Sequence, residues 1–72
     1  MPNNLKYYRE AKNLTQEELS KKAEVSRNTI SLIETGANTN ITYNVMEKLA
    51  KALDMTVEEI FFKKLAQNIV QK

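Results

Sequence analysis

The most specific chemistry in this sequence lies between Arg27 and Thr35. If that run is helical, Ile30 and Ile33 turn to one side and Arg27, Asn28, Ser31 and Leu32 to the other. An arginine can bond the O6 and N7 edge of guanine in a bidentate way, and an asparagine can do the same with N6 and N7 of adenine. A serine can donate or accept, and a leucine can touch a thymine methyl. The chemistry of this face is recognition of base edges, with no bond made or broken. Nothing else in the chain points to catalysis. There is no His and no Cys, so the usual zinc ligands, an imidazole base and a thiol nucleophile are all missing. With a single Gly there is no phosphate-cradling loop. The nine acids fall mostly in first turns or exposed positions, as Glu17, Glu18, Glu58 and Glu59 do, and read as capping and solubility residues. The expectation is a protein that is not an enzyme, with no metal, no cofactor and no small-molecule ligand.

Such a face needs helices to hold it, and the chain marks four helix starts with one repeated signal. A hydroxyl residue follows an apolar residue, and a second apolar residue lies four positions after the hydroxyl. Leu14-Thr15 with Leu19, Val25-Ser26 with Ile30, Ile41-Thr42 with Met46 and Met55-Thr56 with Ile60 all fit. The hydroxyl can accept a bond from an otherwise unpaired helix N–H, and the two apolar residues form a hydrophobic staple that fixes the entry angle. Thr15 with Glu18 and Thr56 with Glu59 add the reciprocal capping box. A further helix precedes these, from about Asn4 to Lys12, with Leu5 and Tyr8 facing inward; Asn13 then tolerates a left-handed helix end.

The second helix runs from Gln16 to about Ala23 and the third from Arg27 to Thr35, stopping at Gly36. The fourth covers Tyr43 to Leu53, where Met46, Leu49, Ala50 and Leu53 repeat with helical spacing. Helices two and three are joined only by Glu24, Val25 and Ser26, a joint short enough to force a steep crossing. The same joint occurs in αα-corners that bind nothing, and the outward face of helix three is what favours a nucleic-acid partner. The fold class expected is all-α: a compact five-helix bundle with a helix-turn-helix at about residues 15–35.

Seventy-two residues make one domain with a small core, which must lean on regular helix packing or self-association because disulfides and zinc are excluded. The first residues, Met1 to Leu5, lack the charged start and apolar run of a secretory signal, and no stretch has the ~20 apolar residues of a membrane span. A soluble cytoplasmic protein with no membrane partner is expected. The net charge of +2 comes from 11 basic and 9 acidic residues spread along the chain, unlike a non-specific polyelectrolyte binder.

The run TQEELSKKAEVSRNTISLIETG, followed by NITYNVMEKLAKALDMTVEEIFF, resembles the phage-repressor and Cro (Xre) family of helix-turn-helix transcriptional regulators over residues 5 to about 62. The resemblance implies five packed helices, a third helix that enters the major groove, and binding of an inverted-repeat operator as a homodimer. It places Arg27, Asn28, Ser31 and Leu32 where the family reads bases and Gln16 where it binds phosphate, at a helix N-terminus whose free N–H groups also favour an anion. Thr15 and Thr29 join Gln16 as phosphate candidates. Arg9 and Glu34 match family positions that pair. Where the family usually has Gly in the turn, this chain has Glu24; if the position needs positive φ, that costs roughly 1 kcal/mol. The loop from Ala37 to Asn40 is less basic than many family loops. Asn38, Asn40, Tyr43 and Asn44 can still donate neutral hydrogen bonds to phosphate; the alternative is that they only cap helix four.

After Phe62 the chain has no Pro or Gly, and Phe61, Leu65 and Ile69 recur at i, i+4, i+8 with Phe62, Ala66 and Val70 alongside. Helix five is therefore expected to run on to about Val70, making residues 1–62 the DNA-binding domain and 63–72 a dimerisation segment anchored by Phe62, Leu65 and Ile69. This ending resembles the controller proteins of restriction-modification systems, which dimerise through their last helix. A frayed tail or one folded back on its own core is the alternative. The rival to a DNA-binding regulator is a protein-interaction module, a co-regulator or antitoxin, favoured by Leu32 where many relatives are polar.

Overall fold

The computed structural model of the protein describes residues 3–37 and 40–64. In chain order these form α1 (Leu5–Ala11), α2 (Gln16–Ala23), α3 (Arg27–Thr35), α4 (Tyr43–Ala52) and a closing turn, α5 (Glu58–Phe62), wound as a π-helix. The expected all-α, five-helix architecture is present, with no strand among the described residues. Asn4 and Lys12 flank α1, and Leu53 flanks α4, so both helices are shorter than expected by one residue at those ends.

Each start signal acts as its chemistry requires. Thr15 accepts from the Glu18 N–H at 3.0 Å while its own N–H donates to the Glu18 carboxylate at 2.9 Å. Ser26 accepts from Thr29 N–H at 3.1 Å and Thr42 from Val45 N–H at 3.2 Å. Thr56 and Glu59 form the same reciprocal box ahead of α5. The apolar partners of these caps build the core: Leu19, Ile30 and Ile60 are fully buried and Met46 nearly so, while Leu14, Ile41 and Met55 pack on them from the rim. Leu5, Ile33, Leu49 and Leu53 complete the fully buried set. Burying each such side chain stabilises by roughly 1.5–3 kcal/mol, which is how a short chain holds five helices together.

The helix ends use left-handed residues. Asn13 (φ 60°), Glu24 (φ 60°), Gly36 (φ 82°) and Asp54 (φ 58°) each follow a helix, and Ala37 N–H reaches back to the Leu32 carbonyl at 3.0 Å. Glu24 thus sits in the conformation that favours the family's glycine, at a cost of roughly 1 kcal/mol.

The fifth helix corrects one expectation. It ends at Phe62 and does not continue through Lys63, whose φ of −110° and ψ of 147° are extended. A residue remote in sequence binds the chain at this end. α5 is wound i→i+5, and the Glu59 carbonyl lies in its first turn. Here that carbonyl accepts from the Asn4 side-chain amide at 3.0 Å, and the same amide donates to the Lys63 carbonyl at 2.6 Å. The Asn4 backbone N–H donates to Ile60 O at 2.7 Å, and the residue is buried. Leu65, Ile69 and the rest of the expected extension lie outside the described residues.

Candidate nucleic-acid interface

The turn of Glu24, Val25 and Ser26 sets α3 across α2, and the two helices pack on each other while α2 also packs on α4 and α1 on α3. Val25 is buried and Ile30 and Ile33 have no exposed surface, so the orientation of α3 about its own axis is fixed by its core side. The opposite side carries Arg27 and Asn28, both exposed, Ser31, half-buried, and Leu32, 40% exposed. All four residues expected to face outward therefore share the solvent side of one helix. Arg27 and Asn28 occupy its first turn.

The residues singled out for phosphate divide into two groups. Thr15, Gln16 and Thr29 lie at the starts of α2 and α3 and already have internal partners: Thr15 in its capping box, Thr29 as acceptor from the Ser26 hydroxyl at 2.8 Å, Gln16 through its amide. Thr15 keeps its hydroxyl proton as a donor, and one of the two Gln16 amide protons is committed. Tyr43, 62% exposed, and Asn44, exposed, form the first turn of α4, preceded by exposed Asn40. Asn38 lies outside the described residues.

Beneath the first group is a polar cluster inside the fold. Arg9 donates from Nε to Glu34 Oε2 at 2.7 Å and from Nη2 to Glu34 Oε1 at 3.1 Å, a bidentate pair whose side chains are only 8% and 3% exposed. Arg9 Nη1 also donates to the Leu14 carbonyl at 2.6 Å, and Gln16 Nε2 donates to Glu34 Oε1 at 3.0 Å. The hydrogen bonds from Arg9 to Glu34 raise the guanidinium pKa above its ordinary value, outweighing the opposing effect of burial. One carboxylate at the end of α3 therefore joins α1 to the first residue of α2, and Arg9 itself ties in the turn before α2. The Arg9–Glu34 pairing implied by the family resemblance is present, and it is a buried pair. The bond from Gln16 to Glu34 carried no sequence signal, because no local spacing relates them.

Asn3 and Asn4 were missed as well. Asn3 accepts from Leu5 N–H at 2.9 Å and donates from Nδ2 to the Ile33 carbonyl at 2.9 Å, while Asn4 holds the end of α5. Two asparagines before an apolar helix read locally as caps, and their distant partners could not be read from composition or spacing.

A capped second helix, a three-residue turn and a third helix with one buried and one polar side define a helix-turn-helix domain. The chain belongs to the helix-turn-helix family, whose model matches residues 5–60. It is 48% identical over 61 residues to an uncharacterised HTH-type transcriptional regulator of Methanocaldococcus jannaschii, covering 85% of this chain and 91% of that protein. Among solved structures it is similar to a chain of a SinR protein/SinI protein complex, with a TM-score of 0.74 and 34% identity over 76% of this chain. The match spans about half (53%) of that longer chain. No helix among the described residues is long and apolar enough to cross a membrane.

Proposed function

We propose that the protein is a cytoplasmic transcriptional regulator that binds a specific double-stranded DNA site as a homodimer, with α3 in the major groove. The observation that carries this is the pairing of a fully buried Ile30–Ile33 edge with an outward Arg27, Asn28, Ser31 and Leu32 face on the same helix. Arg27 and Asn28 read purine edges, Leu32 meets a thymine methyl, and Ser31 bonds a neighbouring base. Gln16, Thr15 and Thr29 contact phosphate from the helix starts, and Asn38, Asn40, Tyr43 and Asn44 do so from the loop and first turn of α4. The name of the Methanocaldococcus relative, a transcriptional regulator, supports this reading.

In this reading the subunits associate through the segment that begins at Phe62 and includes Leu65 and Ile69. Phe62 is 64% exposed, a large apolar surface with no cover among the described residues. Two-fold symmetry sets the two copies of α3 about 34–36 Å apart and requires an inverted-repeat operator. Selection from random duplex DNA tests the whole reading: recovery of a palindrome with half-sites one turn apart is expected, and recovery of no preferred sequence would remove it. Sedimentation of the free chain tests the dimer separately, with Leu65→Asp expected to give a monomer. If that variant still sediments as a dimer, the interface moves to the groove where Tyr43, Met55 and Val57 meet.

A second reading makes α3 a protein-contact surface. Leu32, 40% exposed at its centre, supports it, as does similarity to a chain solved in a two-protein complex. A gel shift against the gene's own upstream DNA separates the two: a specific complex supports regulation through DNA, and its absence supports the second.

A further inference from the structure

Gln16 opens α2, yet its side chain is bonded to the last turn of α3, where Nε2 donates to Glu34 Oε1 at 3.0 Å. Glu34 is itself held. Its side chain is buried, and Arg9 donates to both of its oxygens. From this arrangement we infer that Glu34 is a positioning residue for DNA binding: it fixes the Gln16 amide with its nitrogen inward, and so leaves the second N–H as the donor that meets a backbone phosphate. This role rests on the DNA-binding reading above.

A carboxylate can only accept, so the Gln16 amide must turn its nitrogen, not its oxygen, toward Glu34. A free glutamine at a helix start presents either end to a ligand, and its oxygen end repels an anion. Glu34 removes that choice. One Nε2 proton is committed to it, and the other has no partner among the described residues. The backbone beneath the amide is fixed as well: Arg9 Nη1 donates to the Leu14 carbonyl at 2.6 Å, and the Thr15–Glu18 box caps α2. A donor held in this way loses little further freedom when it meets phosphate. The charges agree with the same role. A lone carboxylate close to a phosphate would repel it, but Arg9 bonds both Glu34 oxygens, so an acceptor for Gln16 is present in a pair with no net charge. Neutralising that carboxylate does not require Gln16, and the third bond is what orients the amide. Because Glu34 belongs to α3, the bond also ties the phosphate contact at the start of α2 to the frame of the base-reading helix.

A double-mutant cycle on the full chain is the test, with a random-sequence DNA duplex at low salt as the probe. Arg9→Met with Glu34→Leu removes the acceptor, leaves the net charge unchanged and fills the space with apolar side chains, a replacement that buried ion pairs often tolerate. Gln16→Ala is expected to weaken binding about fivefold in wild type and less than about twofold in the chain without the pair. A Glu34 that only supports the fold would give equal losses in the two backgrounds; equal losses, or no loss in wild type, overturn the positioning role. Should the double variant fail to fold, NMR of wild type decides: the Gln16 side chain is expected in one rotamer, with its uncommitted Nε2 proton moving downfield when the duplex is added and its Glu34-bonded proton staying in place. An amide averaged over rotamers, or an uncommitted proton that does not move, overturns the role. A wild-type chain that binds no duplex at all removes the DNA-binding reading itself, an outcome distinct from binding that is indifferent to Glu34.

Discussion

In α2, the turn and α3, each helix start is held by a hydroxyl three residues from the N–H it accepts, and each staple closes within five residues. The start of α5 follows the same rule through Thr56 and Glu59, but its end is held by Asn4, 59 residues before Lys63. The first region announces itself in a short window of sequence. The second depends on a contact that exists only after the whole domain has closed. Asn3 also reaches the Ile33 carbonyl across this division, but the strongest exception is Glu34, which lies inside the locally specified half and depends on Arg9, 25 residues away.

That exception gives the largest expected effect. If local signals alone held the helix-turn-helix, Glu34→Ala would cost no more than an exposed ion pair, ~0–1 kcal/mol. Because both side chains are buried, the variant leaves the Arg9 guanidinium without its carboxylate and should lose about 3–5 kcal/mol, measured as the shift in urea midpoint at constant slope. A loss under 1 kcal/mol would mean that water replaces Glu34 and that the pair is incidental. Such a loss in a small domain, whose total stability is typically ~5–15 kcal/mol, is a large share of the whole.

On the surface of the same region, Arg27→Ala or Asn28→Ala should cost ~1–3 kcal/mol of DNA binding and relax preference at one or two base pairs per half-site. Gln16→Ala should weaken binding to all sequences alike, by about 1 kcal/mol, with the salt slope unchanged because a neutral amide releases no counterion. Binding isotherms over a panel of operator variants check both. A changed base preference in Gln16→Ala would make Gln16 part of readout, and unchanged selectivity in both α3 variants would take base reading away from Arg27 and Asn28.

What could be read in advance follows the same division. Thr15, Ser26, Thr42 and Thr56 mark helix starts because an unpaired N–H and its acceptor must lie within one turn, and a sequence window of four contains both. Ile30 and Ile33 reveal the buried edge of α3 by spacing alone, and with it the outward set of Arg27, Asn28, Ser31 and Leu32. The Arg9–Glu34 pair was available only through family resemblance, and its burial not at all, since a charge pair has no spacing signature between separate helices. The end of α5 was misread for a definite reason. Absence of Gly and Pro after Phe62 says that a helix is allowed there, but the Glu59 and Lys63 carbonyls accept from the Asn4 amide, and Asn4 is invisible to any local rule.

The turn offers a smaller and stabilising test. Glu24 adopts φ 60° and ψ 43°, where a Cβ is crowded against the backbone. Glu24→Gly removes that crowding but adds freedom to the unfolded chain, so the net gain is up to about 1 kcal/mol. Thermal unfolding should show a raised midpoint. No gain, or a loss, would indicate that the Glu24 side chain makes a compensating contact and that the turn owes its shape to more than backbone conformation.

The smallest effect tests whether α5, held remotely at its end, still obeys local chemistry at its start. Glu59 accepts from the Thr56 N–H at 3.0 Å and from the Thr56 hydroxyl at 3.1 Å. The bond from the Thr56 backbone, then that from its hydroxyl, holds the Glu59 carboxyl below the ordinary glutamate value, with Lys63 adding a minor attraction and desolvation opposing. A carboxyl whose pKa is lower folded than unfolded binds fewer protons in the native state, so its contribution to stability is present above the unfolded value and is lost as pH falls through the folded one. Stability measured by urea unfolding should therefore decline as the solution is acidified below the ordinary glutamate range. Glu59→Gln keeps an oxygen for the Thr56 N–H but has no proton to gain, so its stability should fall less steeply over that acid window while matching wild type more closely at the bottom of it. Identical acid slopes for the two chains would mean that the Thr56–Glu59 box opens in solution, leaving Asn4 as the main anchor of α5 at both of its ends.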